Sequence, residues 1–252
     1  LKKIAEKEGL ICFSSPFDKT AVDFLEKMNV PAYKIASYEI TDIPLIEYIA
    51  SKRKPVIIST GIATLDDIKD AIEACKKVGN DKIALLKCTS SYPAPLDEAN
   101  LRMIPDMSEK FDCVIRLSDH TLRVAVPVSA VTLGAKIIEK HFILDKKIGG
   151  PDSAFSLEPD EFALMVKSIR EVESALGEVN YDLSPKMKKS REFSRSLFVV
   201  KDVKAGEIIT EENVKSIRPG YGLHPKYFFE IIGKKAKSDI TFGTPLSWDL
   251  VE

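Results

Sequence analysis

Short apolar runs alternate with helix-like segments along the N-terminal part of the chain. The six apolar runs are residues 10–14, 32–36, 55–59, 83–88, 113–118 and 135–142. The segments with helical spacing are residues 18–28, 64–78, 123–135 and 158–177, the last of which ends at Gly177. A short apolar run bounded by polar residues indicates a buried strand. Strands and helices that alternate in this way predict a parallel α/β sheet.

Two architectures accommodate such a pattern. One is an open doubly wound sheet, and the other is a (β/α)8 TIM barrel lacking its first two strands. A dinucleotide-binding doubly wound sheet carries a glycine-rich first turn, and the chain has none. The chain also starts on Leu1, within a helix-like segment, as a fragment of a longer chain would. The sequence therefore favours the incomplete TIM barrel.

The character of the sequence changes after this region. Residues 197–220 and 234–251 contain short β-like runs interrupted by glycine and proline. We therefore expect a barrel domain over 1–178, a linker over 179–192 and a small β-rich domain over 193–252. The lysine-rich stretch 186–191 fits either the linker or a solvated helix face.

Composition excludes several classes of protein. The net charge of −1 gives no basic excess for nucleic acid, and no apolar run reaches the length of a membrane span. No signal peptide pattern is visible. The four cysteines are isolated, with no Cys-x-x-Cys pair, which favours reduced thiols in a cytoplasmic protein. We expect neither a nucleic-acid nor a membrane partner.

Polar side chains gather where the predicted strands end. They include Ser15, Lys34, Ser37, Glu39, Ser59, Ser90, Tyr92 and Ser118. In a barrel these ends face one side and supply the catalytic groups. The hydroxyls could instead cap the helices that follow. Capping does not explain Lys34, because lysine accepts no backbone N–H; a cation among hydroxyls suits a phosphate or carboxylate.

Two of the three histidines end successive apolar runs. His120 lies in LSDHT and His141 in EKHF, one strand–helix unit later. Each could be a hydrogen-bonded structural residue, but on adjacent strands they would face one mouth and favour a divalent metal. Two imidazoles are too few for a closed structural zinc site, so a carboxylate and waters would complete an open, catalytic one. Candidate carboxylates are Asp119, Glu139 and Asp152.

Longer motifs identify a family. SSPFD, YKIASYE, ISTG, LLKCTSSYP, LSDHT, EKHF and GGPDSAFSLEPDEF occur in this order, and the set resembles the sialic acid synthase family. Its members condense phosphoenolpyruvate with an amino sugar to give a nonulosonic acid. RSLFVVKDVKAGE, IRPGYGLHP and GTPLSWDL resemble that family's antifreeze-like (SAF) domain. FSSPFDKTAVDFLE and RPGYGLHPKY are most similar to its pseudaminic acid synthase branch.

The resemblance implies a role for each candidate residue. His120 and His141 would be the two protein ligands of a Mn²⁺, Mg²⁺ or Co²⁺ ion. The residues that would hold the phosphate and carboxylate of phosphoenolpyruvate are Ser15, Lys34, Ser37, Ser59 and Ser118, with Ser90 at a position that is often asparagine. The residues that would face the sugar are Glu39, Tyr92 and Asp152. Arg218 would reach the active site of the partner in a domain-swapped homodimer and contact an N-acetyl group.

The chain departs from the family pattern in two respects. The family barrel begins with two further strands, which provide a glutamate and a Lys/Gln pair that this chain does not contain. Arg116 and Arg123 stand where the family motif has glycine, and they either crowd the site around His120 or point away from it. Two alternatives to a pseudaminic acid synthase remain. One is a synthase for N-acetylmannosamine or a legionaminic acid precursor, and the other is a non-catalytic protein that binds sugar or a partner.

Overall fold

A five-stranded parallel sheet forms the centre of the first of two units, Leu1–Gly177, into which the chain divides. The computed structural model describes all 252 residues. The strands are β1 (Tyr33–Ile35), β2 (Val56–Ser59), β3 (Ile83–Cys88), β4 (Val114–Asp119) and β5 (Ile138–Lys140). They lie side by side in chain order, and every neighbouring pair is parallel. Their carboxyl ends therefore share one edge, as the alternation of strands and helices predicts.

Seven helices belong to this unit. They are α1 (Lys2–Lys7), α2 (Lys19–Lys27), α3 (Ile43–Ala50), α4 (Leu65–Lys77), α5 (Met103–Lys110), α6 (Ala125–Thr132) and α7 (Pro159–Leu176). Local sequence fixes several ends. Thr64 and Asp67 form a capping box at the start of α4, and the α7 helix ends at Gly177, whose φ of 50° favours glycine.

The two faces of the sheet differ because side chains alternate along each strand. One face, with Ile35, Ile58, Leu85 and Leu117, packs against the helices in a single apolar core. The other face presents polar side chains near the strand ends. The fold therefore separates the residues that stabilise the unit from those that are free to bind a ligand.

The predicted strand at 10–14 is wrong. Only Ser14 pairs with the sheet, in one parallel bridge to Tyr33, while Leu10 and Ile11 are 64% and 77% exposed. This segment lies at the sheet edge and has a neighbour on one side only. The predicted strand at 135–142 is also longer than observed, because β5 covers only Ile138–Lys140.

The second unit, Glu178–Glu252, has a small core of its own. Its elements are α8 (Pro185–Arg191), the antiparallel pair β6 (Ser196–Val199) and β7 (Val214–Ile217), and α9 (Phe228–Ile231). Isolated antiparallel bridges join the remaining turns. The lysine-rich stretch is helical and exposed throughout, which agrees with a solvated helix face. None of the helices combines the length and apolar character that a membrane span requires.

Candidate active site

A cavity of about 370 Å³ opens at the carboxyl ends of the parallel strands. Its lining is Ser15, Lys34, Ala36, Ser37, Ser59, Cys88, Tyr92, Ser118, Glu139, Lys140 and the two histidines His120 and His141. Ser59 and Cys88 end β2 and β3, and His120 and His141 follow β4 and β5 directly. Most of the predicted strand-end residues therefore share one cavity.

Lys34 provides the cation on the floor of the cavity. Its buried ammonium donates a hydrogen bond to Ser59 Oγ at 2.8 Å and lies 3.3 Å from Glu139 Oε1. Ser118 Oγ donates to the same carboxylate oxygen at 2.7 Å. Glu139, which the sequence predicts as a candidate metal ligand, is here the counterion of Lys34. The group of Lys34, Ser59 and Ser118 can bind an anionic group by charge-assisted hydrogen bonds.

Ser37, which lines the cavity, forms a second polar group with Ser90, which lies just outside the lining. Ser37 Oγ accepts hydrogen bonds from Ser90 Oγ at 2.9 Å and from the backbone N–H of Ile62 at 3.1 Å. The Ser37 hydroxyl proton is thus free to be donated to a ligand. Gly61 allows this close arrangement, because a Cβ there would lie 2.2 Å from Ser90 Oγ and 2.7 Å from Ser37 Oγ.

The two histidines stand together, with ring centroids 5.2 Å apart. His120 is buried, and its Nδ1 lies 2.8 Å from the Thr89 carbonyl oxygen. Because a carbonyl only accepts, Nδ1 bears the proton and Nε2 keeps its lone pair. Burial lowers the pKa of His120, which favours the neutral imidazole that binds metals. His141 is partly exposed, and its Nδ1 lies 3.6 Å from Asp152 Oδ2.

The donor set fits an open divalent-metal site. When one ring nitrogen of a histidine donates to a backbone carbonyl, the second ring nitrogen is held in an orientation that can bind a metal. His120 has this arrangement. No group of three or more His, Cys, Asp or Glu side chains is arranged to bind an ion. An ion held by the two imidazoles alone would leave its other positions to water and substrate oxygens, as in catalytic rather than structural centres.

An aromatic wall encloses the histidines. Tyr92 lies 4.3 Å from His120, and Phe155 lies 4.9 Å from His141 and 5.2 Å from Tyr92, measured between ring centroids. Phe155 is buried although it belongs to the polar loop before α7. Sequence reasoning missed Phe155; a single aromatic residue within GGPDSAFS was the available signal.

The remaining predicted residues lie outside the cavity lining. Glu39 has a buried Oε2 without a hydrogen-bond partner, and Asp152 is exposed. Arg218 is exposed on the second unit. Arg123 is exposed, while Arg116 is half-buried, with Nη1 donating to the Ile115 carbonyl and Nε unpaired. Burial lowers the pKa of Arg116. Neither arginine lines the cavity.

Comparison with known proteins gives a consistent result. The model of the NeuB family matches residues 1–181, and the SAF domain matches residues 194–252. The chain is 50% identical to a pseudaminic acid synthase of Campylobacter jejuni, over 96% of this chain and 71% of that protein. It is 48% identical to a pseudaminic acid synthase of Helicobacter pylori, over 100% of this chain and 74% of that protein. The crystal structure of spore coat polysaccharide biosynthesis protein SpsE from Bacillus subtilis superposes with a TM-score of 0.68 at 35% identity, covering 100% of this chain and 76% of that one.

Proposed function

The chain belongs to the NeuB family, and we propose that it is a nonulosonic acid synthase. The reaction is the condensation of phosphoenolpyruvate with 2,4-diacetamido-2,4,6-trideoxy-L-altrose to give pseudaminic acid and phosphate. The similarity to two pseudaminic acid synthases supports this acceptor. The observation that carries the proposal is the buried Lys34 cation among strand-end hydroxyls, beside two adjacent histidines.

Phosphoenolpyruvate binds at the floor of the cavity. Lys34 compensates its negative charge, and Ser59 and Ser118 lie within reach of the same ammonium and its counterion. Ser37 and Ser90 offer further hydroxyls to the phosphate or carboxylate, and Ser15 completes the set. Fixed donors of this kind orient the enol carbon before reaction.

The chemistry requires one new carbon–carbon bond and one broken carbon–oxygen bond. C3 of phosphoenolpyruvate attacks the aldehyde carbon of the open-chain sugar, and the aldehyde oxygen takes up a proton. Water then adds at C2 and loses one proton, which leaves a hydroxyl there. The bond between C2 and the phosphate ester oxygen breaks, its electrons leave with inorganic phosphate, which takes up the hydroxyl proton, and C2 becomes a ketone. Tyr92, in the cavity lining, would face the sugar, and Glu39 and Asp152, which lie outside the lining, would contact its more distant groups.

His120 and His141 would hold a divalent ion at the aldehyde end of the cavity. Bound Mn²⁺, Mg²⁺ or Co²⁺ would polarise the aldehyde oxygen as a Lewis acid. The Thr89 carbonyl keeps His120 in the tautomer that this role requires. Tyr92 and Phe155 cover part of the surface of the two imidazoles.

The proposal extends to the assembly. The parallel sheet would be the larger part of a TIM barrel that lacks its first two strands, with the segment that ends in Ser14, bridged to Tyr33, in the place of the third. Arg218, exposed on the second unit, would contact the N-acetyl group in the partner's site of a domain-swapped homodimer. We place the enzyme in the cytoplasm.

Phosphate release tests the proposal. The enzyme is incubated with phosphoenolpyruvate and Mn²⁺, with the altrose derivative, with N-acetylmannosamine, with the legionaminic acid precursor, or with no sugar. We expect release with the altrose derivative and its loss in His120→Ala. Release with another sugar instead would refute the acceptor, and binding of phosphoenolpyruvate without release under any condition would favour a non-catalytic binding protein.

A further inference from the structure

A buried ion pair joins the two strands beside the two histidines. Lys140 and Asp119 are direct neighbours in the register of β4 and β5, and their side chains are 1% and 2% exposed. Each immediately precedes a histidine of the site, His120 or His141. The alternation of side chains along a strand directs this pair to the face opposite Ser118 and Glu139.

The pair also closes the turn that contains His120. The Asp119 carboxylate accepts hydrogen bonds from the Thr121 backbone N–H at 2.9 Å and from the Thr121 hydroxyl at 3.1 Å. Lys140 Nζ donates to the Asp119 carboxylate and to the Thr121 carbonyl oxygen. The Lys140 ammonium is therefore bonded to Asp119 and Thr121, the residues on either side of His120.

Net stabilisation does not explain this pair. Desolvating two charges offsets most of their attraction, and a buried ion pair is often no more stabilising than apolar residues of similar volume. What the pair does supply is geometry, because it links the strand ends one residue before each imidazole. Apart from this pair, the last rungs of β4 and β5 are joined by backbone hydrogen bonds and, on the opposite face of the sheet, by the bond from Ser118 to Glu139.

We infer that Asp119 and Lys140 are positioning residues that set the separation of the two imidazoles and so their ability to share one divalent ion. Both side chains are buried and point away from Ser118 and Glu139, although Lys140 is also part of the cavity lining, and they act through His120 and His141. The inference rests on the proposed function in one respect, namely that the two histidines share a metal.

The test is the double variant Asp119→Asn/Lys140→Met, which removes both charges of the pair together. The asparagine still accepts from Thr121 and the methionine keeps the volume, so neither buried charge is left without its partner. The matched control is Glu47→Gln/Lys77→Met, which removes an exposed ion pair of 2.7 Å between α3 and α4. The affinity for Mn²⁺ is measured without substrate by electron paramagnetic resonance. The melting temperature and the crystal structure of each protein are determined as well.

We expect the double variant to fold and to bind Mn²⁺ about 10- to 100-fold more weakly than wild type, the usual effect of losing a group that orients a metal ligand. The control should retain wild-type affinity. In turnover, kcat should fall while KM for phosphoenolpyruvate stays near wild type, because the Lys34 group is untouched. Lys140→Arg, which keeps the charge, should fold and show a smaller loss.

The outcomes separate this inference from the proposed function. Unchanged Mn²⁺ affinity and an unchanged separation of the imidazole rings in the variant would overturn the positioning role, even in an active enzyme. If wild type neither binds Mn²⁺ nor condenses its substrates, the proposed function fails, and the ring separation in the variant crystal structure still decides the positioning role. Should the double variant not fold, Asp119→Asn takes its place, because it removes the ion pair and keeps an acceptor for Thr121; wild-type Mn²⁺ affinity and ring separation in that protein would overturn the positioning role.

Discussion

A substitution at Gly61 gives the sharpest test of whether Ser37 and Ser90 help to bind the anionic substrate. The Gly61→Ala substitution adds one methyl group where a Cβ would lie 2.2 Å from Ser90 Oγ, 2.7 Å from Ser37 Oγ and 3.2 Å from Cys88 Sγ. Gly61 is not one of the glycines with a positive φ, so the conflict is one of space rather than backbone strain.

The size of the effect follows from these distances. Ordinary contact between such atoms needs about 3.5 Å, so Ser90 Oγ must move by about 1 Å and disturb its bond to Ser37. Overpacking of this kind costs about 1–3 kcal/mol of stability. Loss of one charge-assisted hydrogen bond to substrate costs about 1.5–3 kcal/mol, so the Kd for phosphoenolpyruvate should rise about 10- to 100-fold.

The assay is calorimetric titration of phosphoenolpyruvate without sugar, on Gly61→Ala, Ser90→Gly and the double variant. Removing the Ser90 side chain relieves the shortest contact, so the double variant should bind more tightly than Gly61→Ala. The two single changes are then coupled rather than additive. Wild-type affinity in a folded Gly61→Ala protein would refute the role of Ser37 and Ser90 in binding substrate.

Three further predictions concern separate parts of the first unit. Lys34→Met removes the cation that bonds to Ser59 and should weaken phosphoenolpyruvate binding about 10- to 100-fold, whereas Lys110→Met, on the exposed face of α5, should not. The Tyr33 hydroxyl donates a hydrogen bond to the Glu26 carboxylate and lowers the pKa of that carboxyl. The bond therefore stabilises the fold fully above the unfolded pKa of about 4.3. This stabilisation is lost as the pH falls through the lower pKa of the folded state. The melting temperature of Tyr33→Phe should therefore differ from wild type more at pH 7 than at pH 3, and an equal difference at both would contradict this account. Burial raises the pKa of the Cys75 thiol to about 12, so a maleimide should label Cys75 only as the protein unfolds. Mass spectrometry measures the rate of labelling, and a rate faster than that of unfolding would contradict the burial of Cys75.

The strand–helix rhythm was predictable because parallel strands and their helices impose distinct apolar patterns. It identified β1 to β5 and the helices α2, α4, α6 and α7. It failed for residues 10–14, since an apolar run does not reveal whether both neighbouring strands are present. The apolar run 135–142 likewise does not reveal how much of its length pairs with a neighbouring strand, and the pairing covers only β5.

The gathering of polar residues was predictable because the ends of parallel strands meet at one edge. The hydrogen bonds between them were not. Glu139 pairs with Lys34 across the cavity, a contact between residues distant in sequence. Phe155 reaches His141 from a loop whose path has no periodicity, and the direction of the Arg116 side chain depends on packing that the sequence does not encode locally.

The contact between Lys34 and Glu139 means that the free site already contains its own counterion. An incoming anion must take the place of a tethered carboxylate, so a ligand with a single charge gains little by the exchange. A substrate with both a phosphate and a carboxylate can displace Glu139 and still satisfy the surrounding hydroxyls. Once the carbon–oxygen bond has broken, the released phosphate no longer has the second anchoring group, and Glu139 can return to Lys34. We therefore expect the site to discriminate against simple anions and to favour release of phosphate after each turnover.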